Sequence, residues 1–387
     1  MVNSKQRNND IVKIISSLDI SNTLYLNAKE KYDNLAKYIE GQHCDVEIYP
    51  QGSFALGTVI KPTKSVDENN YDLDFICQFK DKEKSDGPKD VACELYKIIK
   101  SSETYGSRST IDNVCITINY AEVNCAGFSI DIVPAINCEA NNIDKNFLIQ
   151  PHDTSILIPK FVEERYEWIK NNPKGYIYWF NQINAPYFAA CKNGLKYEIL
   201  QDDSLQYRSM EEIPDFLVKT PLQRTIQFIK YHRDNFFKNS LKYNDYKPSS
   251  SLLTTIVATL ASYYANYDCN VLDLLLFSVD NMGIDSKLSP LKYNIAKHKW
   301  VLLNPANCED NLADCWTAEN KEAYNKWLIA LRGDLYSMLN CEEDSYRTAL
   351  GNSLGNSIVD RVLGKKSLET KNINKPAKPY RGFENND

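Results

Sequence analysis

The sequence predicts an α+β fold in which a mixed sheet with helices precedes a mainly helical C-terminal lobe. Helical and alternating apolar patterns interleave over the first 136 residues, and after about residue 150 the pattern turns helical. At 387 residues the chain also exceeds what one hydrophobic core usually holds. We expect one lobe over residues 1–150, a helical lobe over 151–365, and a mobile tail over 366–387, where Lys375-Pro376-Ala377-Lys378-Pro379 offers little to bury.

Residues 7–40 read as one long bracing helix. Ile11, Ile14, Ile15 and Leu18, then Tyr25, Leu35 and Ile39, recur near helical spacing, and Gly41 is a natural stop. Val46-Glu47-Ile48-Tyr49 alternates as a short strand. Gly52 and Ser53 open a short helix or turn, and residues 63–70 form a polar loop. Tyr71 to Phe79 alternates as a strand, with Asp72 and Asp74 on one face and Leu73 and Phe75 on the other. Val91 to Lys100 reads as a helix. Val114 to Tyr120 and Phe128 to Val133 read as a strand pair around a turn at Gly127. Lys160 to Lys170 is expected to be helical, ending at Asn171-Asn172-Pro173. Leu222 to Phe237 is a stronger helix, because Leu222, Ile226, Ile229 and Phe236 share a face. Residues 250–265 and 320–340 also read as helices.

The apolar share of 43% and charged share of 25% are ordinary for a globular protein. There is no apolar run long enough to span a bilayer, and the polar start has no signal-peptide core, so we expect a cytoplasmic protein without a membrane partner. The 11 cysteines are scattered, none in a Cys-x-x-Cys pair, and the four histidines are isolated. Those facts argue against zinc and for reduced thiols. A net charge of −6 argues against a broad electrostatic footprint for nucleic acid.

The chemistry lies in three stretches. Side chains two apart on a strand share a face, so Asp72 and Asp74 can reach one metal cluster, and Asp131 on a neighbouring strand can complete it. Carboxylate oxygens suit Mg²⁺ or Mn²⁺, and two ions can activate a hydroxyl and stabilise a leaving pyrophosphate. Asp131 is assigned to poise the attacking hydroxyl. Gln51-Gly52-Ser53 supplies a turn where glycine lets backbone approach a phosphate and the Ser53 hydroxyl donates. An Asp-x-Asp strand or a Gly-Ser turn alone is commonplace. A carboxylate between Ile130 and Ile132 is not, because an apolar strand seldom carries an unpartnered charge. Lys230 is either a clamp on the triphosphate or a lysine stem covering core surface. Ser250, after Pro248, is either a phosphate ligand or a helix N-cap. His232 and Arg233 are expected in a surface or inter-lobe charge cluster, and His43, His152 and His298 are read as structural, with no evident partner.

Gly-Ser, Asp-x-Asp and a later Asp resemble the DNA polymerase beta-type nucleotidyltransferase superfamily. Tyr49-Pro50-Gln51-Gly52-Ser53-Phe54-Ala55-Leu56-Gly57-Thr58, Tyr71-Asp72-Leu73-Asp74 and Ile130-Asp131-Ile132-Val133-Pro134-Ala135 resemble, more narrowly, the bacterial cGAS/DncV-like nucleotidyltransferases (CD-NTases). So do Asn172-Pro173-Lys174-Gly175-Tyr176, the stretch from Leu222 to Asp234, and Asn304-Pro305-Ala306-Asn307 running on to Trp316. The resemblance implies a polymerase-beta-like lobe and a helical lobe with the active site in the cleft between them. It implies a cyclic oligonucleotide synthase of a CBASS antiphage system, joining ribonucleoside triphosphates, ATP among them, into a cyclic di- or trinucleotide. By position, Asp72, Asp74 and Asp131 would hold two Mg²⁺ or Mn²⁺ ions, and Gln51, Gly52, Ser53, Lys230 and Ser250 would hold the nucleotide. A downstream effector would sense the product, and a CBASS regulatory protein would be a partner. The chain ends Glu384-Asn385-Asn386-Asp387, without the small terminal residue that C-terminal conjugation would use, and no Cys/His cluster supports a zinc-dependent DNA reader.

Two other readings stay open on the residues. One is a nucleotidyltransferase that modifies a protein, a small molecule or an RNA end. The other is a catalytically silent nucleotide-binding scaffold, against which the three carboxylates argue, since keeping them desolvated without metal costs stability.

Overall fold

A computed structural model describes residues 4–19, 22–43, 45–60, 71–123, 126–138, 154–201 and 218–364, with the backbone alone for 22–24, 71–72, 121–123, 126–127, 193–201 and 241. The expected loop over 63–70, the tail over 366–387 and His152 lie outside these residues.

The expected single N-terminal helix is two helices, α1 (Ser4–Ser16) and α2 (Asn22–Gln42). Burial explains the break. Ile11, Ile14, Ile15 and Leu18 pack into the core of the helical lobe, whereas Ala28, Leu35 and Ile39 pack under the sheet. One straight helix cannot serve both cores. Asp19, between them, accepts hydrogen bonds from Arg224 Nη1 and Gln227 Nε2, each at 2.7 Å.

The first lobe continues through β1 (Val46–Pro50), α3 (Gly52–Ala55), β2 (Tyr71–Phe79), α4 (Pro88–Lys100), β3 (Ser109–Asp112), β4 (Cys115–Val123) and β5 (Ala126–Asn137). Gly127, expected in a turn, lies within β5. The segment expected as a helix over 160–170 is instead a hairpin, β6 (Ile156–Val162) and β7 (Arg165–Asn171). Glu163 and Glu164 both take left-handed backbone angles at its turn (φ 46° and 66°), the conformation a two-residue hairpin loop needs. Glutamate is a poor signal for that turn, which hid the hairpin from the sequence. The sheet runs β1-β2-β5-β4-β3, and β6 pairs with the end of β5 and with β7.

Strand alternation sorts this sheet into two faces. Leu73, Phe75, Cys77 and Phe79 of β2 and Phe128, Ile130, Ile132 and Ile136 of β5 bury against α2 and α4. Their alternates, Asp74 and Asp131 among them, look the other way.

The second lobe comprises α5 (Pro173–Gln201), α6 (Pro221–Lys238), α7 (Ser250–Tyr263), α8 (Val271–Asn281), the hairpins β8 (Lys292–Asn294) with β9 (Lys299–Val301) and β10 (Leu303–Asn304) with β11 (Asn307–Asn311), and then α9 (Ala318–Asn340), α10 (Glu343–Leu354) and α11 (Asn356–Leu363). Pro221 in the first turn and a Thr220–Gln223 capping box start α6. Lys219, just before this helix, and Gln223, Gln227 and Lys230, on one of its faces, donate to the carbonyls of Gly57, Leu56, Val59 and Thr58 at 2.8–3.0 Å. This ladder satisfies four successive carbonyls of irregular chain and seats the segment after α3 on the helical lobe. On the far side, Asn172 Nδ2 donates to Ala306 O at 3.1 Å and Asn307 Nδ2 to Lys170 O at 3.0 Å, joining the sheet's end to the β10–β11 hairpin. Among the described residues no helix is long and apolar enough to cross a membrane, and the nine described cysteines are free thiols.

Candidate active site

Strands β2 and β5 run parallel in a register that sets Asp74 beside Asp131 and Asp72 beside Ser129. Across the sheet, Thr117 of β4 opposes Asp131 and donates to its Oδ1 at 2.6 Å. The hydroxyl fixes the carboxylate's rotation. Cys115 stands on the same side, and burial, then the fields of Asp131 and Asp74, push its thiol up to about 12. It is therefore a neutral thiol near pH 7, not a nucleophile.

The Gln51 N–H donates to Asp74 O at 2.8 Å, which ties the Gln51–Ser53 turn to β2. Gly52 follows in left-handed conformation (φ 62°), and a Cβ there would lie 2.5 Å from Asp74 Oδ2. Only glycine relieves the backbone strain and leaves the carboxylate room. Ser53 sits in the first turn of α3.

From the helical lobe, Lys230 is 4% exposed. Its burial is the main cause, and neighbouring Arg233 the second, of an ammonium pKa pulled down to about 8, against the opposing pull of Asp234 and Asp74. It is no snorkelling surface lysine. Ser250 is not the N-cap of α7. That role belongs to Ser249, whose hydroxyl accepts from Leu252 N at 3.2 Å. Ser250 Oγ instead accepts from Arg233 Nη1 at 3.1 Å, and Arg233 also donates to Pro248 O and Asp234. Because arginine has no acceptor, the Ser250 proton is left to point elsewhere. Arg233 and His232, expected in a surface or inter-lobe cluster, are buried at 5% and 2% exposure. His232 Nδ1 accepts from Trp327 Nε1, so Nε2 carries the proton facing Asp334 at 3.1 Å. His43, read as partnerless, faces Asp81 and Glu94.

Gln51, Gly52, Ser53, Asp74, Asp131, Lys230 and Ser250 all line one cleft of about 510 Å³ between the lobes. Asp72 is two positions from Asp74 on the same strand, and its side chain lies outside the described residues. Among the described residues no three His, Cys, Asp or Glu side chains form a metal-binding group. The pair that is described fits a hard cation: two in-register carboxylates, an all-oxygen donor set, and space kept open by Gly52. The sequence did not reveal Thr117 as a partner of Asp131, or Asn304 and Asp310 as cleft residues. Thr117 alternates with buried Ile116 and Ile118, a hint that it faces the acids, but its partner depends on strand register. Asn304 and Asp310 reach the cleft only through tertiary packing.

Residues 6–184 match the family described as "Second Messenger Oligonucleotide or Dinucleotide Synthetase domain" (SMODS). A c-di-GMP synthase from Roseivirga ehrenbergii is 25% identical over 329 residues, covering 84% of this chain and 76% of that protein. The fold matches the Bradyrhizobium diazoefficiens CD-NTase CdnG in complex with GTP, with a TM-score of 0.66 and 20% identity over 92% of this chain and 97% of that one. It also matches Escherichia coli MS115-1 CdnC with ATP, with a TM-score of 0.59 and 14% identity over 90% and 98% of the two chains. Two acidic strands in register, a glycine turn beside them and a helical lobe closing the cleft accompany these matches: residues 6–184 match the SMODS family, and the chain shares the fold of the two CD-NTase structures.

Proposed function

We propose that this enzyme joins ribonucleoside triphosphates into a cyclic di- or trinucleotide second messenger, releasing one pyrophosphate per bond, and that the messenger serves antiphage defence. The observation that carries the reading is the pairing of Asp74 with Asp131 beside Gly52, in a cleft that also receives Lys230 and Ser250. The relatives named for c-di-GMP synthesis and for bound GTP support guanine among the substrates.

In this mechanism the Gly52–Ser53 turn, Lys230 and Ser250 bind the triphosphate. Lys230 offers charge, and the Ser250 hydroxyl, held from behind by Arg233, offers its proton. A ribose hydroxyl of one nucleotide attacks the α-phosphorus of another. The new O–P bond forms as the bond to pyrophosphate breaks, and the hydroxyl proton leaves toward Asp131. A second round within the linear product closes the ring. Asp72, Asp74 and Asp131 would hold Mg²⁺ or Mn²⁺, two ions in this reading, which supply Lewis-acid activation and neutralise charge on the leaving group. The two cores support a first lobe that runs through β7 to about residue 171, beyond the boundary near 150, with α1 assigned to the second. Reduced thiols and the absence of long apolar helices among the described residues are compatible with a cytoplasmic site of action. An effector and a regulatory protein remain the expected partners.

The test is incubation of the full chain with labelled ATP, GTP, CTP and UTP and Mg²⁺ or Mn²⁺, followed by phosphatase. A phosphatase-resistant product of cyclic dinucleotide or trinucleotide mass supports the reading. Label on protein, RNA or a small acceptor, with no cyclic product, would replace it.

A further inference from the structure

We propose that Asp310, held by Asn304, reads the nucleotide base in the cleft and selects guanine. The inference rests on the reading of this cleft as a nucleoside triphosphate site. Asp310 is a cleft carboxylate that the phosphate and metal machinery does not use, and it comes from β11 on the helical lobe. A fixed negative charge repels a triphosphate. This part of the wall therefore suits the end of the nucleotide that carries donors, its base or its ribose.

The carboxylate is preset. Asn304 is buried, and its Oδ1 accepts from the Ala306 N–H at 2.9 Å, which fixes the amide's orientation. Its Nδ2 then donates to Asp310 Oδ2 at 2.9 Å. Among the described residues Asp310 Oδ1 accepts no hydrogen bond. An ionised carboxylate offers acceptors only. Of the four bases, guanine alone sets two neighbouring donors, N1–H and the N2 amine, on the edge away from the sugar. Adenine offers an acceptor beside its amine, cytosine likewise, and uracil a single N–H between two carbonyls. Guanine is thus the base whose edge pairs with both oxygens of a carboxylate, the geometry that strengthens such bonds. Leu312, Ile177 and Tyr176 line the same cleft and provide apolar surface for a flat ring.

Affinities of the full chain for GTP, ITP, ATP and 2′-deoxy-GTP, measured by calorimetry with Mg²⁺ and nonhydrolysable triphosphates, test this without relying on turnover. The wild type should bind the GTP analogue roughly tenfold or more tighter than the ATP analogue. The ITP analogue, which lacks the N2 amine, should fall between them. Asp310→Asn, which presents one acceptor and one donor, should bring the two affinities within about threefold by weakening GTP and not ATP. Asn304→Ala should narrow the gap by a smaller factor. An unchanged GTP-to-ATP ratio in Asp310→Asn, or a wild type that prefers ATP, would overturn the assignment. So would a loss confined to the ribo-over-deoxyribo preference, which would place Asp310 on the sugar. A wild type that binds no triphosphate would remove the nucleotide-site reading itself. Binding with an unaltered base ratio would remove only the role of Asp310.

Discussion

The Thr117 hydroxyl and Asp131 Oδ1 are 2.6 Å apart, on neighbouring antiparallel strands in direct register. The contact leaves the carboxylate one rotational setting. Thr117→Val removes the donor at nearly constant volume. A hydrogen bond to a charged group contributes about 1.5–3 kcal/mol, so product formation should fall roughly tenfold to a hundredfold. Thr117→Ser should restore most of it. A shifted Mn²⁺ requirement in Thr117→Val, with its thermal transition retained, would mark the effect as positional. Equal activity in the valine variant would remove this role.

Asp72→Asn combined with Asp74→Asn should bring product formation to background and leave the fold intact, because these substitutions remove clustered negative charge without changing shape. Thermal unfolding and product chromatography read both outcomes. Residual synthesis by the double variant would show that these acids are not the metal ligands.

Gly52→Ala should lose activity and stability together. Left-handed backbone costs an alanine about 1–2 kcal/mol, and its Cβ would displace the Asp74 carboxylate. A lower melting temperature with weaker Mn²⁺ binding is expected. The surface-exposed Gly41, with open space around it, serves as the control.

If Lys230 holds the triphosphate as proposed, stability and binding should move in opposite directions with pH. Its ammonium pKa, about 8 when folded, lies below the ordinary lysine value of 10.5. Between the two the unfolded chain binds more protons, so this residue's contribution raises stability as pH climbs from about 8 toward 10.5 and changes little below 8. Triphosphate affinity should fall over the same window, because the neutral amine no longer offers charge. Lys230→Met should flatten both trends, raise stability near pH 7 and weaken triphosphate binding. Denaturant melts and binding isotherms across pH 7–10 compare the two slopes.

The parts of the fold legible in the sequence are those governed by local periodicity. Alternation marks β2 and β5 and assigns Leu73 and Phe75 to the core and Asp74 to the opposite face. The face of α6 is visible in Leu222, Ile226 and Ile229. Where local pattern and tertiary demand disagree, the reading fails. Residues 7–40 carry a continuous helical signal, yet two separate cores divide them. The hairpin at Glu163-Glu164 turns without any of the residues that announce a turn. In the cleft, Gly52, Ser53, Asp74 and Asp131 could be picked out because their types and spacing are chemically unusual. Arg233 behind Ser250 and Asn304 behind Asp310 could not, since an arginine or an asparagine is ordinary anywhere and acquires its meaning from what it touches.

The ladder from Lys219 and α6 to residues 56–59, and the Asn172 and Asn307 bonds across to the other lobe, stitch the two halves together at both margins of the cleft. Halves joined this way do not swing apart like a jaw without breaking several protected bonds at once. On the proposed reaction, a linear intermediate would turn around inside a frame of nearly constant width, and a finished ring would leave by threading past side chains at the mouth. Turnover would then be paced by departure, and tightening or loosening either seam would alter how long the intermediate is kept.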